Sequence, residues 1–217
     1  MVFSRLFLLF SLTLQGMDTQ INSEAQWSEN IIIVDADYVD SVAFDLIVNF
    51  ERMIGRRIPA ADLPRWLDCV ALDGGIREGE HQNQVVLIHR KDRKGMENFM
   101  PSDYESDLNG KAFKDHLGEF MLSSLPIEEI VDETDFLMEI VQAACEQPNV
   151  KRVMIVPNFE KDGLYDLMRH VLQQVDDDKR ITVFAMQPLS GGNFRQEILG
   201  YSLMNALGIK SEEINNV

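Results

Sequence analysis

The chain has 217 residues, with 36 acidic against 20 basic side chains, a net charge of −16, 45% hydrophobic and 26% charged residues. These fractions exclude a disordered, collagen-like or disulfide-scaffold chain, and the length suits one globular core. The acidity disfavours nucleic acid as a partner, because phosphate affinity comes from clustered Lys and Arg, and it disfavours an anionic membrane surface.

Residues 1–16 carry Arg5 and then an apolar run over 6–14 that is too short to span a bilayer. The stretch resembles an export signal, yet a cut after Gly16 places Leu14 where a small residue is wanted. Met17-Asp18-Thr19-Gln20 reads as an ordinary polar start. The expectation is therefore a cytoplasmic protein starting at Met17, with export as the alternative if residues 1–16 act as a signal. Cys69 and Cys145 have no CxxC neighbour and read as buried free thiols.

Residues 31–34, Ile-Ile-Ile-Val, form a continuous apolar run, the pattern of a strand covered on both faces. Ser41 is expected to cap the next helix, with Ala43, Leu46, Ile47, Phe50, Met53 and Ile54 on one face and Gly55 at its end. Residues 66–72 read as a strand, Gly74-Gly75 as a turn and residues 85–88 as a second strand, together a long hairpin or an excursion. Residues 90–110 are irregular and charged, and 119–124 read as a strand. Asp132 or Thr134 caps a helix with Phe136, Leu137, Ile140, Val141 and Ala144 on its face. Residues 153–156 read as another buried strand. The stripe Leu164, Leu167, Met168, Val171, Leu172 and Val175 predicts a helix lying on the sheet. Residues 181–185 read as the last strand, and Asn193 with Gln196 reads as the capping box of a final helix that Gly208 ends.

This alternation predicts a single Rossmann-like three-layer α/β domain with a mostly parallel sheet over residues 30–209, a flexible lead-in at 17–29 and a flexible tail at 210–217. Ligands of such sheets sit beyond the carboxyl ends of the strands, where strand order reverses.

Asp35, Asp37 and Asp40 follow the first strand. On an extended chain Asp35 and Asp37 share a side. Two close carboxylates stay ionised most readily around a cation, and Mg²⁺ is the usual one. Asp162 and Glu128, after later strands, are candidates to complete a metal site, and Asp73, Glu129 and Glu160 also stand at predicted strand ends. With 36 acids in the chain, solvated loop carboxylates are the competing explanation. The segment Ser190-Gly191-Gly192-Asn193 matches neither a P-loop nor a dinucleotide fingerprint and reads as a turn and cap. The four histidines show no mutual metal spacing along the sequence. The basic residues concentrate at Arg90, Lys91, Arg93 and Lys94, and at Arg56 and Arg57.

Asp35-Ala36-Asp37-Tyr38-Val39 is similar to the opening motif of haloacid-dehalogenase-like phosphatases, which implies a nucleophile at Asp35 and an acid/base at Asp37. A helix directly after the motif, and Pro157-Asn158-Phe159 after the later strand, depart from that family. The layout resembles the PIN and NYN nuclease-like domains, with residues 153–175 and 181–207 matching their later segments. That resemblance implies a metal-binding role for Asp35. The loop Pro157-Asn158-Phe159-Glu160-Lys161-Asp162 lacks the Ser-Gly-Asp-like core of those domains. The whole chain also resembles an uncharacterised bacterial family of the Bacteroidetes type. The sequence thus points to a non-catalytic or interaction module on a PIN/NYN-like scaffold. A Mg²⁺-dependent nuclease or phosphohydrolase is the alternative.

Overall fold

Ile31, Ile32, Ile33 and Val34 are wholly buried in strand β1 (Asn30–Asp35), the middle strand of a seven-stranded sheet. The computed structural model describes residues 27–215. The signal-like stretch 1–16 and the start at Met17 lie outside the described residues. The apolar run forms a strand because both of its faces are covered: Ile32 and Val34 join one hydrophobic cluster, Ile31 and Ile33 the other. Each such side chain contributes roughly 1.5–3 kcal/mol when fully buried.

Helix α1 (Ala36–Ile54) follows β1 without a loop. Its cap is Asp35, whose Oδ1 accepts the Tyr38 N–H at 3.0 Å, and not Ser41. An aspartate directly before the helix satisfies an orphan donor of the first turn, so the helix starts six residues early. Gly55 ends it at φ +70, where its N–H returns to the Glu51 carbonyl.

The short strand β2 (Ala61–Asp62) leads into helix α2 (Leu63–Asp73), which replaces the strand expected over 66–72. Asp62 caps this helix through the Arg65 N–H, and Pro64 sits in its first turn, where a missing N–H costs nothing. Trp66, Leu67, Val70 and Ala71 fall on one buried face. A short apolar run does not itself distinguish strand from helix; the Asp-Leu-Pro start decides. The expected hairpin is consequently absent, and α2 crosses over to strand β3 (Gln82–Arg90), which pairs with β1 in parallel.

Strand β4 (Phe99–Met100) pairs with β2 outside the main sheet, and a π-helical turn, Tyr104–Leu108, follows within the irregular stretch. Strands β5 (Ala112–Asp115) and β6 (Gly118–Ile127) form the one antiparallel pair of the main sheet. Helix α3 (Glu133–Glu146) is capped by Asp132 and leads to β7 (Arg152–Val156). In helix α4 (Leu164–Leu172), Leu164, Met168 and Leu172 are buried. Leu167, expected in the same stripe, is 39% exposed, because the buried face follows a narrower i, i+4, i+8 line.

After β8 (Arg180–Ala185) comes a seventh sheet strand, β9 (Arg195–Ile198), where a capping box was expected. Gln196 turns its Oε1 back to accept the Leu189 N–H at 2.9 Å instead of capping a helix. Helix α5 (Leu199–Ala206) starts only after it, and α6 (Ser211–Asn215) follows.

The sheet order is β5-β6-β3-β1-β7-β8-β9. Helices α1, α2 and α5 contribute to the cluster on one face, α3 and α4 to the other. From β1 the chain builds outward to β3 and β6, then returns to β7 on the opposite side. Strand order therefore reverses at β1. Among the described residues, no helix is long and apolar enough to cross a membrane.

Candidate functional site

A cleft opens beyond the carboxyl end of β1, at the point of reversal, where the sheet architecture favours ligands. Asp35 and Asp37 both line it. They are brought there by the β1–α1 junction, since Asp37 already lies in the first helical turn. The same helix adds Asp40, three residues on and so on the same helix face as Asp37. Glu133 reaches the cleft from the start of α3, and Glu160 and Lys161 reach it from the loop after β7. Glu128 and Asp162 are not among its lining residues: Glu128 pairs with Lys91 at 2.7 Å and Asp162 is exposed. Asp73 lies near Arg195 and Glu197 instead.

The inner carboxylates are each met by a cation of the protein itself. Lys161 Nζ bridges Asp35 at 3.4 Å and Glu133 at 2.5 Å. Burial pushes the Asp35 carboxyl above the usual range, against the pull of Lys161. Burial would lower the Lys161 ammonium, yet its hydrogen bond to Glu133 and the charge of Asp35 hold it above its ordinary value. The lysine has two acidic partners, whereas Asp35 has one cation. Arg93 donates to Asp40 at 2.8 Å and stands 3.6 Å from Asp37. Asp40 is 2% exposed and accepts the Asn98 backbone N–H at 2.8 Å. Asp37 Oδ2 accepts the Arg90 backbone N–H at 2.7 Å, while its Oδ1 is buried without a hydrogen bond.

Farther out, Asp45 and Glu160 are exposed and make no ion pair among the described residues, and Phe44 beside them is 53% exposed. Among the described residues, no three cleft carboxylates bring an oxygen each within 4.8 Å of one another. Of the two basic stretches, Arg90 and Arg93 line the cleft but are engaged by its acids. Arg56 and Arg57 sit past the far end of α1, where Arg56 pairs with Glu213 at 2.6 Å.

The sequence puts Asp40 after the first strand without assigning it to the metal set, and does not single out Glu133 or Lys161. The i, i+3 spacing of Asp37 and Asp40 was available once Asp35 is recognised as the cap. Lys161 lies 126 residues from Asp35, and no local pattern announces that contact.

A second cleft lies between α3 and α4, and its Lys179 is taken up by the carbonyls of Gln147 and Val150. Comparison with known families matches residues 24–214 to a family of unknown function, DUF6621. No curated protein and no solved structure matches the chain.

Proposed function

The chain belongs to that family of unknown function, and from this premise we propose that it is a non-catalytic interaction module on a Rossmann-like three-layer, PIN/NYN-like scaffold. Its acidic cleft docks a basic segment of a partner. The observation that carries this reading is the placement of Lys161 and Arg93. They stand between inner carboxylates where a divalent cation would otherwise neutralise them. The outer acids Asp45 and Glu160 remain open to a Lys or Arg side chain from outside, with Phe44 offering apolar contact beside them. Complementary charge of this kind speeds encounter and sets partner choice.

The test is binding of a fluorescent Arg-rich peptide to the wild type and to a double variant, Asp45→Asn with Glu160→Gln. Saturable binding that weakens clearly in the double variant supports the reading. Equal binding by both proteins overturns it.

One observation favours a second reading, Mg²⁺-dependent phosphodiester hydrolysis. The Asp37 Oδ1 is buried without a hydrogen bond, and Arg93 Nε stands 3.6 Å from it, beyond hydrogen-bond reach. Asp35 and Asp37 would hold the metal, with Asp162 or Glu128 brought in by loop movement to complete the set. A bound Mg²⁺ there would activate water and stabilise the leaving oxygen. Lys161 and Arg93 would have to release their acids first, which is why this reading stands second. Cleavage of single-stranded RNA supported by Mg²⁺ or Mn²⁺, abolished in Asp35→Asn, would establish it over the first.

A further inference from the structure

Asp68, Asp115 and His116 meet at the β5–β6 turn, on an edge of the sheet and away from the cleft at its centre. Asp68 stands on α2, whose Trp66 and Leu67 are fully buried beside it. Asp115 ends β5, and His116 follows in the turn to β6. This turn is tied down from several directions. Asp115 Oδ1 accepts the Leu117 N–H at 2.6 Å. The His116 carbonyl accepts the Gly79 N–H at 3.0 Å, and the Leu117 carbonyl accepts from Asn83 Nδ2 at 3.2 Å. Gly118, at φ +109, closes the turn so tightly on β3 that a Cβ would stand 2.1 Å from the His81 carbonyl oxygen.

One donor atom from each of the three side chains lies within 4.8 Å of the other two. Independently, Asp68 Oδ1 is shut off from solvent and has no hydrogen-bond partner, a costly state for a carboxylate oxygen. No basic group relieves it: burial, with the carboxylates of Asp115 and Asp62 close by, pushes the Asp68 carboxyl up, to about 7. Two carboxylates at this distance need either a shared proton or a cation between them.

We infer that Asp68, Asp115 and His116 form a binding site for a divalent transition cation of the Zn²⁺ class. An imidazole nitrogen beside two carboxylate oxygens is a borderline donor set, suited to Zn²⁺, whereas Mg²⁺ and Ca²⁺ prefer oxygen alone. Three protein ligands leave a fourth tetrahedral position for water. His116 is exposed, which gives the ion its entry path. The bound ion ties α2 to the β5–β6 turn, elements that come from different parts of the chain.

The test uses the full chain, stripped with a chelator and titrated calorimetrically with ZnCl₂ at pH 7.5. One equivalent is expected to bind the wild type and to raise its Tm. In His116→Ala the affinity falls by at least the ~10-fold that loss of even an outer-shell partner costs a metal site. Asp68→Asn falls likewise; should it fail to fold, the exposed His116→Ala variant carries the test alone. Unchanged Zn²⁺ binding by His116→Ala assigns the ion to the acidic surface elsewhere and overturns the inference. So does absence of saturable binding by the wild type, or binding of MgCl₂ as tight as that of ZnCl₂.

Discussion

Two acidic groups among the described residues meet the same difficulty in opposite ways. At the carboxyl end of β1, Asp35, Asp37 and Asp40 crowd together, and Lys161, Arg90 and Arg93 answer them. At the β5–β6 turn, Asp68 and Asp115 crowd together, and no basic residue acts on Asp68. In the first set each of these carboxylates has a cation of the same chain beside it. The second is complete only with a proton or an outside cation. An acidic cluster is thus informative about ligands only once its internal counter-charges have been counted.

The largest expected effect comes from breaking the completeness of the cleft. Arg93→Met leaves the nearly wholly buried Asp40 without its cation, and about 3 kcal/mol of stability should be lost in urea unfolding. A loss below about 0.5 kcal/mol, the range of ordinary surface sites, would mean that Arg93 does not hold the Asp40 charge in place.

Lys161→Met should cost less, about 1–2 kcal/mol, because Asp35 and Glu133 retain some contact with water. This variant sharpens the contrast further. With its internal cation removed, millimolar Mg²⁺ should raise its Tm while leaving the wild type unmoved. A rise of equal size in both proteins would show that the lysine is not the counter-charge of the cleft.

At the second group the sign reverses. In the presence of chelator, Asp68→Asn should stabilise the protein by about 1 kcal/mol at pH 8, since the side chain is partly exposed and solvent screens the effect. The folded state raises this carboxyl to about 7 from the ordinary 3.8, so it favours the protonated form. That stability is fully present below about pH 4 and is lost as the pH climbs through 7. Asparagine cannot lose a proton, so the variant's advantage should shrink to nothing near pH 4. An advantage independent of pH would show that charge is not its cause.

The half-exposed pair Arg56–Glu213 supplies the baseline. Its hydrogen bonds hold the Glu213 carboxyl down to about 2, so its contribution is present above about pH 4.5 and fades as the pH falls through 2. Glu213→Gln should lower Tm only slightly at pH 7 and match the wild type in strong acid. A larger drop than that of Lys161→Met would show that the pair beside the cleft is not the more strongly held of the two.

The parts of this fold that could be read in the sequence are those where burial alone dictates the pattern. The apolar runs of β1, β7 and β8 are unambiguous because both faces of each are covered. The run at 66–72 was misread because Trp, Leu, Val and Cys suit a strand as well as a buried helix face. The Asp62 cap and Pro64 held the deciding information. Strand alternation puts Asp35 and Asp37 on one side, whereas a helical turn sets their geometry. Counter-charges were beyond reach, since Lys161 and Arg93 meet their acids only through the crossovers. His116 was passed over because its partner Asp68 is far away in sequence, and only the packing of α2 against the edge hairpin joins them.

The sheet ends on one side at β5 and on the other at β9, each four residues long. An open border of unpaired backbone groups invites another molecule to extend it, and long, flat, apolar borders are where fibrils begin. Here one border carries Lys114, paired outward with Glu80, and the other carries Arg195 and Glu197, paired with each other. Short and charged at both margins, the sheet gives a second copy too few free rungs to template on, even though its central strand is among the most apolar stretches of the chain.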